Sequence, residues 1–500
     1  MIRLSTGQRL VLTVWLVLGA HLTSNVVRET YLAVAIGERG TVRVDPYLGL
    51  HPDLFEIPGR GAYINSNPGA SLLGAVPYAL ARPLIGLLFW ARPALAQPKP
   101  PATYDDPRPN RAPLMNAMRA RGLDVRLALA AFAIQLGLMA PLAAVMTLLV
   151  FRYLSARLGN QRTAFWLALL YGLGTPVFFR SAFLNQNILL AHAVLGAWML
   201  LTWPRPAPDP ARSRRWLLAG LCLGLGILLD YSAAPMALVF GVWALVEGWR
   251  EGGPAGAVRF GGACLLGALP PVAVLLGYQW VAFQSPWFPA QRYMPATEFS
   301  VHGWNGMTLP TAELLWGNLF DPRYGLLVFC PLLMAGIAAV AVRRHPAAVP
   351  GGQVAVALLA CLALLLFNSA NQFANLQWNT GVRYMVPAVP LLFLLGVPVL
   401  LAAPAWLRWA LVGPTLLISW SVSMMREDVP TSLRMLVTEG PTLPMLIVLR
   451  KTAAAYAPFL GEGMQPFGVL SVLLVAAAVW LVWRGNHRPW LSAAAPRPTP

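Results

Sequence analysis

A chain of 500 residues that is 57% hydrophobic and 11% charged, with mean hydropathy +0.59, carries more apolar surface than a water-soluble globule can hide. It reads as an all-α, polytopic helical membrane protein. Its 37 Lys and Arg against 19 Asp and Glu leave a net charge of +18. Much of that excess sits in short turns between apolar runs, at Arg152 and Arg157, Arg212 to Arg215, Arg343 and Arg344, and Arg484 and Arg488. This is the pattern of topogenic cytoplasmic charge, and it argues against a nucleic-acid partner.

The first apolar run, 10–27, follows Arg3 and Arg9. His21-Leu22-Thr23 offers no small-x-small cleavage site, so a retained span is expected rather than a signal peptide. Further runs near the roughly 20 residues a crossing helix needs lie at 127–151, 163–180, 187–203, 216–230, 233–248, 260–283, 324–341, 354–368, 383–403, 406–424 and 467–484. Together they predict about 12 transmembrane helices. Between the first two lies a long polar stretch, 24–126, holding Arg28, Glu29, Asp45, Asp53, Glu56, Arg60, Asp105 and Asp106. Its segment 29–40 has an apolar face and ends at Gly40, which predicts a short helix along the membrane surface. Segment 69–91 is apolar enough to cross but carries Pro77 and Arg82-Pro83. Counting it as a span would turn the later basic turns outward, so a broken, interfacial or re-entrant helix is expected. Both termini then face the cytoplasm, and the outer connections are 24–126, 180–187, 231–232, 284–323, 369–382 and 426–466.

Ionisable groups at a membrane face mark functional sites. Glu29 or Asp45, at the edge of a partly dry cavity, has the chemistry of a general base for a hydroxyl or amine; each equally suits a structural task, Glu29 at a helix N-terminus and Asp45 in a turn. Asp230 and Tyr231 close a span, where an Asp is costly unless paired or wet, so they are expected to line a cavity. His192, one turn into a span, suits either a sugar hydrogen bond or plain packing. Trp287, Phe288, His302, Trp304, Asn305 and Trp316 form a polar-aromatic set that fits sugar stacking or an interfacial belt, the belt being expected for Trp316, which borders the next span. The histidines are scattered and Cys222, Cys264, Cys330 and Cys361 lie in or beside apolar runs, so no metal site is expected. Asp105-Asp106, in a Pro-rich loop, is expected to be solvated. No phosphate-loop or dinucleotide fingerprint is present, and no cofactor is expected.

The order of segments carries a likeness. "RETYLAVAIGERGTVRVDPY" opens the first loop and "GRGAYINSNPGASLLGAVPYAL" continues it; "RYLSARLG", "LYGLGTPVFFRSAFLNQNILLAH", "GLGILLDYSAAP", "YQWVAFQSPWFPAQRY", "DPRYGLLVFCPLL" and "QWNTGVRYMVPAVPLLFL" follow. Over most of its length the chain resembles the bacterial GT-C membrane glycosyltransferases, the family 39-type group that holds protein O-mannosyltransferases and aminoarabinose transferases. The resemblance implies a transmembrane catalytic region at 1–424, including outer loops 24–126 and 284–323, and at 425–500 an outer loop, a last helix and a basic tail. It implies a sugar moved from a polyprenyl-phosphate donor in the membrane lipid to an extracytoplasmic acceptor, which is a glycan, lipid or protein, at the outer face of a bacterial inner membrane. Glu29 or Asp45 would activate the acceptor, and Arg60, Arg323 and Arg383 would meet the departing phosphate. Arg28, Asn67, Asn187, His192, Asp230, Tyr231 and Arg292 would line the cavity. The chain departs from the pattern in three places: Arg28-Glu29 stands where relatives carry paired acids, Asn67-Pro68 where many have Lys-Pro, and Asn185 or Asn187 where a second acid is common. A lipid-linked-sugar flippase and a non-catalytic relative are the competing readings.

Overall fold

The computed structural model describes residues 4–104, 111–204, 210–342, 345, 348–377, 381–456 and 465–484. Asp105, Asp106, Arg343, Arg344 and Arg488, which figured in the expectations above, lie outside the described residues. The chain is polytopic and helical, as its composition demands. Among the described residues four helices are long and apolar enough to cross a membrane, or five if one bent pair counts as a span, and there are several shorter apolar helices.

Helix α1 (Thr6–Ala20) starts at Ser5, whose side chain accepts from the Gln8 amide while the Gln8 side chain accepts from the Ser5 N–H; this reciprocal cap fixes the start. Helix α2 (Arg28–Arg39) is the short helix expected at 29–40, stopped by Gly40 at φ +63°. Two four-residue strands follow, β1 (Leu54–Ile57) and β2 (Gly61–Ile64), paired antiparallel with Leu54 opposite Ile64 and Ile57 opposite Gly61. This hairpin was not expected from the sequence.

Helix α3 (Gly69–Ala91) is one unbroken helix despite Pro77 and Pro83, which excludes the broken form among the three expected, broken, interfacial or re-entrant. Its length and apolarity would allow a crossing, and its flanks bond to other parts of the 24–126 segment. At its start, Ser71 Oγ donates to the Glu29 carbonyl at 2.9 Å. Beyond its end, Lys99 N–H bonds the Arg119 carbonyl, and Arg121 donates to the carbonyls of Pro46 and Leu48 at 3.2 and 2.9 Å. Helix α4 (Arg111–Ala120) is tied to the end of the first span by Arg111 Nη1 to Asn25 Oδ1, 3.1 Å. The helix packs side by side with residues 124–137, Gly74 near Ile134, Pro77 near Gly137 and Phe89 under Arg126. It packs Ala70, Gly74, Tyr78, Ile85 and Phe89 inward and leaves Val76, Leu80, Leu84 and Leu87 exposed.

Helices α5 (Asp124–Ile134) and α6 (Ala140–Leu158) join through a π turn at Gln135–Met139, where buried Gln135 donates to the Leu18 carbonyl. After α7 (Gln161–Gly174) and the single turn α8 (Val177–Arg180) come α9 (Gln186–Thr202) and α10 (Arg212–Leu229). Helix α11 (Ala233–Phe283) turns back on itself at Gly252 and Gly253, the latter at φ +58°, so the two expected spans form a hairpin. Its second arm meets α10 main chain to main chain. A Cβ on Gly220 or Gly224 would overlap the carbonyls of Cys264 and Ala268, the close approach that small residues four apart permit.

Helix α12 (Ala312–Phe320) precedes a segment expected as one span, 324–341. It is instead broken into α13 (Leu326–Phe329), α14 (Met334–Ile337) and intervening 3-10 turns. Helices α15 (Gly351–Ala370), α16 (Val389–Ala402) and α17 (Ala405–Met425) match expected spans. The expected outer loop 426–466 holds two helices, α18 (Val429–Glu439) and α19 (Pro444–Tyr456), bent by 81° at their junction. The last helix, α20 (Gln465–Trp483), closes on α1 through Trp483 Nε1 to Thr13 Oγ1.

Candidate functional site

The first turn of α2 carries the site. Arg28 and Glu29 are adjacent, and Arg28 Nε donates to Glu29 Oε1 at 2.8 Å. Arg28 Nη1 reaches Asp53 Oδ2 at 2.9 Å and Asn65 Oδ1 at 2.8 Å, while Asn65 Nδ2 donates to Asp53 Oδ1 at 2.9 Å. The β1–β2 hairpin makes this possible: the Asn65 N–H bonds the Asp53 carbonyl just beyond the strand ends, which sets the two side chains together. Gln186, the first residue of α9, completes the clasp. With its amide turned to satisfy both neighbours, it donates to Glu29 Oε1 at 2.9 Å and accepts from Arg28 Nη2 at 3.0 Å. The Glu29 side chain is 4% exposed and that of Arg28 14%; only a paired arrangement makes such burial tolerable.

Burial opposes the charge on Arg28, but Glu29 and Asp53 outweigh it and raise the guanidinium above its ordinary value. Burial pushes the Asp53 carboxyl up; Arg28 and Arg383 pull harder and hold it below the usual carboxylate range. His51 is lowered by burial, with Asp53 opposing. Its Nδ1 accepts the Asp53 N–H at 3.1 Å, which assigns the proton to Nε2 and makes the ring neutral.

Three further guanidinium groups converge here. Arg180, at the end of α8, is 1% exposed and feels the charges of Arg383, Arg426 and Glu29. The Phe183 ring lies between two of them, 4.9 Å from the Arg180 guanidinium and 5.2 Å from that of Arg426. Arg426, in a left-handed conformation at the end of α17, donates to the Phe179 carbonyl at 2.6 Å. Arg383 stacks on Tyr384 and donates to its hydroxyl at 2.8 Å. A buried amide network fixes its loop: Gln377 Oε1 accepts the N–H groups of Arg383 and Tyr384, Gln377 Nε2 donates to Asn318 on α12, and Asn368 on α15 donates to the Tyr384 carbonyl.

The other nominated residues make their hydrogen bonds elsewhere or lie beside this cluster. Asp45 spends both oxygens locally, on Arg43 at 3.0 and 3.3 Å and on the Ala62 N–H at 2.8 Å; burial acts against these bonds, but they hold its carboxyl below the ordinary value. It pins the 3-10 turn to β2. Arg323 is exposed and committed to Asp321 at 2.7 Å. Arg60 donates to the Phe283 carbonyl, and Asn67 to the Ile227 carbonyl at 2.8 Å. Asp230 accepts the Ser232 N–H, and Tyr231 pairs with Gln279. Arg292 lies in a 3-10 turn whose neighbour Gln291 donates to the Asn65 carbonyl, next to the clasp. Asn187 and His192 are buried, with both amide atoms of Asn187 and Nδ1 of His192 unbonded among the described residues. Asp53, Asn65, Gln186, Arg180 and Arg426 were not nominated. The available signal was an Arg between Phe179 and Ser181 inside an otherwise apolar stretch.

No family model matches this chain, and no curated protein matches it. Among solved structures it is similar to the crystal structure of ArnT from Cupriavidus metallidurans bound to undecaprenyl phosphate. The identity is 19% and the TM-score 0.44, over 95% of this chain and 74% of that one. The apo-state crystal structure of the same protein gives 18% identity and a TM-score of 0.42, over 94% and 74%.

Proposed function

We propose that the protein is a membrane glycosyltransferase that moves a sugar from a polyprenyl-phosphate donor to an acceptor hydroxyl or amine. The observation that carries this reading is the meeting of the Arg28–Glu29–Asp53 clasp with Arg180, Arg383 and Arg426 from distant elements. The acceptor oxygen or nitrogen bonds the anomeric carbon as the carbon–phosphate-oxygen bond breaks, with inversion. The acceptor's proton passes to Glu29, and the bonding pair leaves with the lipid phosphate. Arg28 and Gln186 hold Glu29 Oε1; Oε2 makes no hydrogen bond among the described residues and is the oxygen for the proton. Arg383, with Arg180 and Arg426, supplies donors to the phosphate as its charge grows.

The far end of the bundle gathers Arg157, Arg212, Arg215, Arg250 and Arg259, where Arg157 bonds the Thr202 carbonyl and Arg212 pairs with Glu247 and Glu251. By the positive-inside rule that end faces the cytoplasm, and the clasp faces outward from a bacterial inner membrane. The test is transfer of radiolabelled sugar from polyprenyl phosphate in membranes that carry the full chain. Glu29→Gln is expected to lower the rate by about 10²–10⁴-fold while retaining polyprenyl-phosphate binding; Arg383→Ala is expected to lower both. Full activity in Glu29→Gln removes the proposed base.

A further inference from the structure

A second, separate site lies at the other end of α2. Glu38, Tyr78, Arg82, Pro83, Gly86 and Arg126 line a cavity of about 460 Å³. Glu38 is nine residues from Glu29 on the same helix, about 13 Å along its axis, so this cavity is distinct from the clasp. Its floor is a hydrogen-bonded knot: Tyr78 and Arg126 both donate to Glu38 Oε1, at 2.5 and 3.0 Å, and Arg126 also stacks on Phe89. Arg82 is different. It is exposed, and its one hydrogen bond among the described residues goes to the Glu38 main-chain carbonyl at 3.3 Å, so no carboxylate neutralises it. One carboxylate against two guanidinium groups leaves the cavity with a net positive charge.

The surroundings say what kind of anion fits. Cavity residues 79, 82, 83 and 86 form one helical stripe of α3. The neighbouring stripe is Val76, Leu80, Leu84 and Leu87, exposed by 60, 77, 72 and 58%. A cationic pocket beside a continuous apolar stripe matches a phosphodiester headgroup with its acyl chains laid against the helix. A free phosphate would use the arginines and leave the stripe bare.

We propose that this cavity binds the headgroup of an anionic phospholipid, with Arg82 as its charged contact, Arg126 as its second donor and the stripe of Val76, Leu80, Leu84 and Leu87 as the bed for the acyl chains. The site needs only that the chain is a membrane protein and does not depend on the transferase reading.

The test uses the full chain in detergent, mixed with phosphatidylglycerol or phosphatidylcholine and read by native mass spectrometry. The wild type is expected to retain phosphatidylglycerol preferentially, and millimolar inorganic phosphate is not expected to displace it. Arg82→Ala is expected to weaken that retention about tenfold, the loss of one charge-assisted contact, and Arg82→Lys to restore part of it. Gly86→Leu gives an independent arm. A Cβ built at Gly86 meets nothing within 4 Å, so the substitution begins in open space at the cavity wall and leaves both arginines in place. It is expected to weaken retention as well. Retention equal to wild type in both Arg82→Ala and Gly86→Leu overturns the proposal, as does displacement by inorganic phosphate, which would identify a simple ion site. Sugar transfer by these variants reports on the clasp separately.

Discussion

Replacing Arg28 by Met removes the one cation that Glu29 and Asp53 share. The side chain is 14% exposed and its partners 4% and 32%, so little solvent screening softens the loss. Breaking a buried ion pair from one side costs about 3–5 kcal/mol because the opposite charge stays buried without its partner; here two carboxylates are left, and the upper half of that range applies. The sign of the pH response is the sharper test. In the wild type Asp53 is held below its ordinary value, so its stabilising contribution is complete above about pH 4 and is lost only as pH falls through the depressed value. Between pH 7 and pH 5 it contributes no change. In Arg28→Met, burial acts on Asp53 with its main opponent gone and Glu29 close by, so the folded-state value rises. A group raised in the folded state gains stability as it takes up its proton, and the variant should become more stable from pH 7 to pH 5. Thermal or denaturant unfolding in detergent at the two pH values measures both quantities. A loss under about 1 kcal/mol, the range of an exposed pair, with a pH slope equal to wild type, would refute the clasp as a buried, mutually dependent unit.

Asp45→Asn is expected to leave sugar transfer within about twofold of wild type and to cost no more than about 1 kcal/mol, because its bonds are local, partly exposed and do not involve Glu29; a transfer assay that shows collapse would move the base from Glu29 to Asp45. Gly224→Leu is expected to cost more than about 3 kcal/mol or to prevent assembly, since the side chain would have to displace the Ala268 main chain rather than a rotamer. Detergent-solubilised yield and melting temperature read this out, and a variant that melts with the wild type would show that the two helices separate at little cost.

How far the sequence reached depended on the range of the interaction. Apolar runs located most of the helical segments, including both arms of α11, because burial in lipid is written into each stretch independently. Glu29 was nominated because an ionisable residue at a membrane face is conspicuous by itself, and Arg383 because the likeness to the GT-C transferases implied a basic group for the lipid phosphate. The clasp was not legible. Arg28 meets Asp53 and Asn65 across 25 and 37 residues, through a hairpin of four-residue strands too short to show an alternating pattern. Gln186 then arrives from the start of a distant helix. Segment 69–91 shows the opposite failure. Each of its prolines removes one N–H donor and argues locally for a break, but the packing of Tyr78, Ile85 and Phe89 against the bundle keeps the helix whole. Asp45 looked reactive because its two partners, the Arg43 side chain and the Ala62 main chain, have no signature that distinguishes a turn-locking acid from a catalytic one.

That α3 grips α2 twice, through Ser71 at the Glu29 carbonyl and Tyr78 at Glu38, ties the two helices together. The same α3 turns Val76, Leu80, Leu84 and Leu87 outward. A push on that apolar flank would travel through a stiff splint to the turn that carries Glu29.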